Sequence, residues 1–122
     1  YLPNAARNFG LAREVEHDTR YAIAEEYLDV LYKLWEGSWD DDAVVQDREQ
    51  RVYTDPSKVR YVDHVGEHFS VAGPHLVQPS PQRTPVIFQA GSSPAGRAFA
   101  ARRAEGVCVG GYELAAYRET VA

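Results

Sequence analysis

At 122 residues the chain is long enough for one domain with a modest core, and its 44% hydrophobic content marks a globular protein rather than a disordered or membrane-spanning one. A net charge of −5 argues against nucleic acid or an anionic membrane as the main partner, and no apolar run approaches the roughly 20 residues that a bilayer helix needs. The single cysteine, Cys108, leaves no internal disulfide framework and suits a reducing cytoplasm.

Tyr1-Leu2-Pro3 cannot lie inside a helix, because proline disfavours helical geometry in the residue before it. Asn4–Phe9 is compatible with a short helical turn that Gly10 stops. Glu14 and Glu16 then approach a strong helical pattern, where acidic side chains complement the positive end of the helix dipole.

That helix is expected from about His17 to Trp35. His17, Tyr21, Ala24, Leu28, Leu31 and Trp35 recur at alternating spacings of four and three and so share one face, which Ile23, Tyr27, Val30 and Leu34 widen. Asp18, Arg20, Glu25, Glu26, Asp29 and Lys33 fill most of the polar remainder, and Gly37 ends the helix. His17 and Tyr21 place two polar-tipped rings one turn apart at the helix N-terminus. In a βα architecture that end lies beside the C-terminal ends of strands, where sites gather. The same two rings also fit a plain reading as an amphipathic core tyrosine and its half-exposed neighbour.

Residues 38–84 form a long polar excursion, the kind of connection that serves as a lid or pocket wall. Asp40-Asp41-Asp42 reads as a solvated acidic turn, since a calcium loop alternates its ligands and needs a mid-loop glycine. Asp47–Arg51 is a mixed-charge surface run, and Asp55-Pro56-Ser57-Lys58 a further turn. Val59–His64 and His68–Val71 flank Gly66 as a hairpin, which takes His64 and His68 off a common helical face and argues against zinc. Pro74, Pro79, Pro81 and Pro85 stiffen the last section.

At Pro85–Arg97 a short apolar run, Val86-Ile87-Phe88, meets Gln89 and then the small-residue turn Ala90-Gly91-Ser92-Ser93. A helix follows, with Pro94 in its first turn and Arg97 one turn in. Such a strand–turn–helix can cradle an anion on glycine backbone, serine hydroxyls and free helix N–H groups. It can equally be an ordinary βα turn in which Ser93 caps the helix. Arg97–Ala104 continues as an alanine-rich helix, Glu105-Gly106 ends it, and Val107-Cys108-Val109 reads as a short buried strand with Cys108 as a small buried hydrophobe. Gly110-Gly111 closes that strand and Glu113–Val121 reads as the next helix. The order implies a parallel α/β arrangement.

Together, Asn8-Phe9-Gly10, Glu16-His17-Asp18-x-Arg20-Tyr21, Tyr32-Lys33-Leu34-Trp35-Glu36, Pro79-Ser80-Pro81-Gln82 and Gln89-Ala90-Gly91-Ser92-Ser93-x-x-Gly96-Arg97 resemble one family over the whole chain. It is the bacterial-luciferase-like, FMN-dependent monooxygenases, in the branch with nitrilotriacetate, dibenzothiophene-sulfone and long-chain-alkane monooxygenases. The resemblance implies an α/β TIM-type (β/α)8 barrel. Such a barrel needs about 250 residues, so residues 1–122 are expected to be a partial single domain. They would run from about the loop after strand 4 through helix 6, with an insertion at about 38–84.

It further implies a two-component flavin-dependent monooxygenase. Such an enzyme takes reduced FMN from a separate NAD(P)H-dependent flavin reductase and uses O2 to oxygenate a sulfone, thioether, alkane or aminopolycarboxylate. The alternatives are a non-catalytic flavin-binding relative and an inactive portion of the barrel. By resemblance His17 and Tyr21 line the flavin site and Ser92 binds FMN, with Gly91, Ser93 and Arg97 as neighbours around the phosphate. No metal is implied and no catalytic residue can be assigned; a cytoplasmic homo-oligomer is expected.

Overall fold

The computed structural model describes residues 5–110 and Arg118, so the expected helix at 113–121 and the first residues, 1–4, lie outside the described residues. In chain order, a 3-10 turn at Ala5–Phe9 is followed by α1 (His17–Tyr32), a π-helical turn at Lys33–Gly37, β1 (Val44–Asp47) and β2 (Val52–Thr54). A 3-10 turn at Pro56–Lys58, β3 (His64–Val65), β4 (Ser70–Val71), β5 (Phe88–Gln89), α2 (Pro94–Arg103) and β6 (Gly106–Val107) complete it. The chain divides into two compact units, one of residues 1–24 with 86–122 and one of residues 25–85. Among the described residues no helix is long and apolar enough to cross a membrane.

The first unit carries the β–α–β motif. β5 and β6 are parallel, pairing Phe88 with Gly106 and Gln89 with Val107, and Cys108 N–H extends the ladder to Gln89 O at 2.8 Å. Glu105 binds Ile87 from both ends: its N–H donates to Ile87 O, and its carboxylate accepts from Ile87 N–H at 2.7 Å. Gly106 belongs in the strand because a Cβ there would overlap the Phe88 ring. α2 buries Phe99 and Ala100.

The expected buried strand around Cys108 is corrected. Cys108 is exposed, as are Phe88 and Val107. A parallel sheet hides its strands only when further strands and helices cover it, and among the described residues β6 has one strand neighbour, β5.

The Ala5–Phe9 turn ends as expected at Gly10, whose φ of 72° lies in the left-handed region. α1 starts at the expected residue because Glu16 caps it. The carboxylate accepts the N–H groups of Asp18 and Thr19, each at 2.9 Å, and the Thr19 hydroxyl. The Thr19 N–H foremost holds Glu16 below the ordinary carboxylate range.

In the second unit, helical geometry runs on to Gly37 through the π turn. The single-face reading of the helix is corrected. Leu28 and Val30, on opposite sides of α1, are its buried residues, whereas Tyr27 is half exposed and meets the Phe69 ring at 5.8 Å. The polar excursion holds two antiparallel hairpins, β1–β2 and β3–β4. The second turns around Gly66 as expected, although its strands are shorter. The first is closed by the mixed-charge run, where Asp47 Oδ1 accepts Gln50 N–H at 2.9 Å. Arg51 there takes a φ of 57°, a conformation that favours glycine, so no turn-type residue marks it in the sequence.

Asp41 and Asp42 form the exposed acidic turn that the sequence leads one to expect, with Asp40 half-buried beside them, and each carboxylate also has a basic partner. Asp40 takes Arg60 in a two-pronged pair at 2.6 and 2.9 Å, Asp41 takes Arg83 at 2.5 Å and Asp42 takes Lys58 at 2.5 Å. Arg83 also donates to the carbonyls of Trp35 and Trp39. Fully buried Ser38 donates to Leu34 O and accepts His75 N–H.

Glu26 of α1 gathers the β3–β4 hairpin in the same way. Oε1 accepts from His64 Nε2 at 3.0 Å and from Phe69 N–H at 2.9 Å, and Oε2 accepts His68 N–H at 2.8 Å. Lys33 Nζ lies 3.0 Å from the other His64 nitrogen. An ammonium only donates, so Nδ1 accepts and the ring proton sits on Nε2, facing Glu26. His64 itself is buried. The His64 bond first, then the two backbone N–H groups, hold Glu26 down to about 2 against the opposing effect of burial. Among the described residues no group of three or more His, Cys, Asp or Glu side chains could hold a metal ion.

Candidate functional site

In the first unit the N-terminus of α1 and the β5–α2 turn enclose an open cleft of about 450 Å3. From α1 it is lined by His17, Arg20, Tyr21 and Ala24; the turn contributes Gln89 to Ser93, and α2 adds Phe99. Residues at i, i+3, i+4 and i+7 share a helix face, which is why those four α1 residues stand together.

Three rings form the aromatic side of this cleft. Tyr21 meets His17 edge-on at 5.3 Å between centroids and Phe99 at 5.7 Å. His17 is exposed and bonds through Nδ1 to Asp18 at 2.7 Å.

The hydroxyl of Tyr21 is set against two glycines. A Cβ on Gly91 would lie 2.7 Å from it and 3.0 Å from Gln89 Nε2; a Cβ on Gly96 would lie 2.5 Å from it. Both distances are below those that real Cβ atoms adopt, so the bare backbone makes the turn a cradle that a side chain would fill.

Ser93 is the N-cap of α2. Its Oγ accepts Gly96 N–H at 3.0 Å, its carbonyl accepts Arg97 N–H at 2.8 Å, and Pro94 fills the first turn without a donor to lose. The capping reading of Ser93 is therefore correct, and it does not exhaust the residue: a capping oxygen that accepts leaves the hydroxyl proton to donate. Ser93→Ala should cost about 1 kcal/mol of stability, to be read from the denaturation midpoint. An unchanged midpoint would show that the cap carries no weight.

Of the residues picked out by sequence, His17, Tyr21, Gly91, Ser92 and Ser93 come together around the one cleft. Arg97 does not join them. It is exposed and lines a second hollow with Gly91, Ala100, Ala101, Ala104, Val107 and Val109. Arg20, assigned by periodicity to the polar remainder of α1, instead lines the cleft. The signal was its position three after His17 and four before Ala24. Gln89, Ala90 and Phe99 also line it, and the polar residue ending an apolar strand was the cue for Gln89. An aromatic wall, three hydroxyl side chains, tight glycine backbone and one guanidinium, with no carboxylate among the lining residues, suit an aromatic ligand bearing an anionic group.

Residues 2–122 match the family described as luciferase-like monooxygenase. The long-chain alkane monooxygenase of Geobacillus thermodenitrificans (strain NG80-2) is 59% identical over 114 residues, 93% of this chain and 26% of that protein. A crystal structure of a long-chain alkane monooxygenase superposes with a TM-score of 0.89 at 57% identity, covering 98% of this chain and 28% of the other. A riboflavin lyase, crystallised with modified FMN and riboflavin, gives a TM-score of 0.84 at 44% identity over 96% of this chain and 26% of the other. The chain thus spans about a quarter of the length of these relatives, and among its described residues no closed barrel is formed. Because the likeness extends over nearly the whole chain in sequence and in backbone, the chain belongs to the luciferase-like monooxygenase family.

Proposed function

We propose that the cleft binds flavin mononucleotide. The parent protein would be a two-component monooxygenase that oxygenates a small organic substrate with O2 and reduced FMN from a separate NAD(P)H-dependent flavin reductase. This chain would be a central portion of its TIM-type barrel. The observation that carries the reading is the Gly91 cradle, where a small-residue turn, a tyrosine hydroxyl and the start of α2 converge with no room for a Cβ.

The residues present fit the group. Backbone at Gly91 and the hydroxyls of Tyr21, Ser92 and Ser93 can hold a phosphate, the commonest anion taken by a turn at a helix N-terminus. The rings of His17, Tyr21 and Phe99 offer an aromatic edge. Bound reduced FMN supplies the electrons with which O2 is activated, and the oxygen chemistry belongs to the cofactor. The task of this chain is to hold and orient the flavin. The Tyr21 hydroxyl would donate a hydrogen bond to an anionic oxygen, the Ser93 hydroxyl would donate one while still capping α2, and the Phe99 wall would keep water from one side.

Tyr21→Phe and Ser92→Ala should each weaken FMN binding by about tenfold or more, the worth of a hydrogen bond to a charged group, as read by flavin fluorescence titration of the parent protein. Unchanged titration curves for both variants would remove the assignment. The similarity to a riboflavin lyase keeps a different flavin chemistry in view. Oxygen uptake with a reductase and NADH, screened over alkanes, thioethers, sulfones and aminopolycarboxylates, separates the two.

A further inference from the structure

We propose that His64 is a proton-operated latch in the second unit: uptake of one proton by its ring releases Lys33 and leaves the pairing with Glu26 in place.

The hairpin histidines belong to no metal-binding group among the described residues, yet His64 is only 7% exposed. A buried imidazole needs partners for both ring nitrogens. The helical segment supplies the two, because Glu26 and Lys33 are seven residues apart and so share one face. Glu26 Oε1 lies 3.0 Å from Nε2, and Lys33 Nζ lies 3.0 Å from Nδ1. Gly66 leaves room for this arrangement, since a Cβ there would overlap Glu26 Oε1 and come within 2.8 Å of His64 Nε2.

The neutral ring is matched on both sides: Nε2–H donates to a carboxylate and bare Nδ1 accepts from an ammonium. A proton on Nδ1 destroys one match and strengthens the other. Two cationic donors then face each other across 3.0 Å, so hydrogen bonding and charge both oppose the Lys33 contact. On the opposite side the charged ring and Glu26 become an ion pair.

Lys33 is exposed and can turn into water on its long stem. Glu26 is only 15% exposed and also holds the His68 and Phe69 N–H groups. The ammonium is therefore the partner that leaves. Glu26 stays ionised meanwhile, because the His64 bond foremost holds its carboxyl down to about 2. From the hairpin, His68 is the further titratable group that acts on this carboxylate through its charge.

The test is the change in Tm that Lys33→Met causes in the parent protein at about pH 8 and about pH 5, the ordinary limits of histidine's charge change. With His64 present, Lys33→Met should lower Tm by about 2 °C or more at the higher pH, the worth of a charge-assisted hydrogen bond. At the lower pH it should leave Tm unchanged or raise it. In a His64→Gln background the amide donates to Glu26 and accepts from Lys33 but takes up no proton. There the cost of Lys33→Met should be the same at both pH values. A His68→Gln background should keep the pH dependence.

Should His64→Gln fail to fold, imidazole nitrogen NMR of the parent protein decides. The histidine signal that Lys33→Met perturbs should come, at the higher pH, from the tautomer protonated on Nε2. An equal Lys33→Met effect at both pH values with His64 present would overturn the proposal. So would a pH dependence that persists in His64→Gln, one that vanishes in His68→Gln, or the opposite tautomer.

Discussion

Gly96→Ala should destabilise the parent protein in the presence of Tyr21 and become neutral or stabilising once Tyr21 is changed to Phe. Within a helix the replacement of glycine by alanine is worth about 1 kcal/mol in its favour, so propensity alone predicts a gain. Against it stands the contact of the new methyl with the Tyr21 hydroxyl at 2.5 Å, the nearest of its neighbours; Ser93 Oγ and Gly91 O follow at 3.1 and 3.2 Å. Overpacking of this kind costs about 1–3 kcal/mol and wins. The ring cannot swing aside freely, because it is packed between His17 and Phe99. Gly96→Ala should therefore lower Tm by several degrees and weaken FMN by more than about tenfold as Tyr21 is pushed from the cleft. Removing the hydroxyl removes the nearest clash, so the double variant should recover stability but not affinity. A Tm that falls equally in both backgrounds would show that the Tyr21 hydroxyl is not what excludes a side chain at Gly96.

Acid should destabilise the protein in part through Glu26, whose carboxylate gathers the β3–β4 hairpin. A carboxyl lowered from 4.5 to about 2 binds fewer protons in the folded than in the unfolded state. Its contribution is therefore complete above pH 4.5 and is lost as pH falls through about 2. Glu16, Asp40 and Asp55 are displaced in the same direction, by the Thr19 N–H, the Arg60 guanidinium and the Ser57 hydroxyl respectively, and steepen the same limb.

The local signature is amide exchange at His68 and Phe69, whose N–H groups end on the Glu26 carboxylate. Glu26→Gln should speed exchange at both by more than about tenfold at neutral pH, because a neutral amide oxygen accepts more weakly than a carboxylate. It should also flatten the acid limb. Gly66→Ala should mimic it, since a Cβ there would overlap Glu26 Oε1 and turn the carboxylate away. Exchange at His68 and Phe69 that stays slow in Glu26→Gln would show that the hairpin is held by other means.

Where the chain speaks through near neighbours, the sequence by itself was sufficient. Glu16 before His17 and Ser93 before Pro94 announce two helix starts, because capping involves residues two or three apart. Gly91 marked the tight turn, and the succession of strand, helix and strand implied a parallel arrangement, whose register of Phe88 with Gly106 the structure supplies. The same short-range periodicity aligned His17 with Tyr21 on one face of α1.

Tertiary structure decided what depends on the path of the chain between distant residues. Asp40, Asp41 and Asp42 find Arg60, Arg83 and Lys58 at separations of 20, 42 and 16 residues, and Glu26 finds His64 at 38. Nothing in a local window encodes such partners. The β1–β2 hairpin escaped because Arg51 adopts a glycine-like backbone angle without being glycine. Cys108 is exposed because burial belongs to the sheet and its covering layers, not to the apolar letters around the residue. Arg20 and Arg97 were separated only when each helix took its place beside the Gly91 turn, for a helical face has no assigned neighbour until it packs.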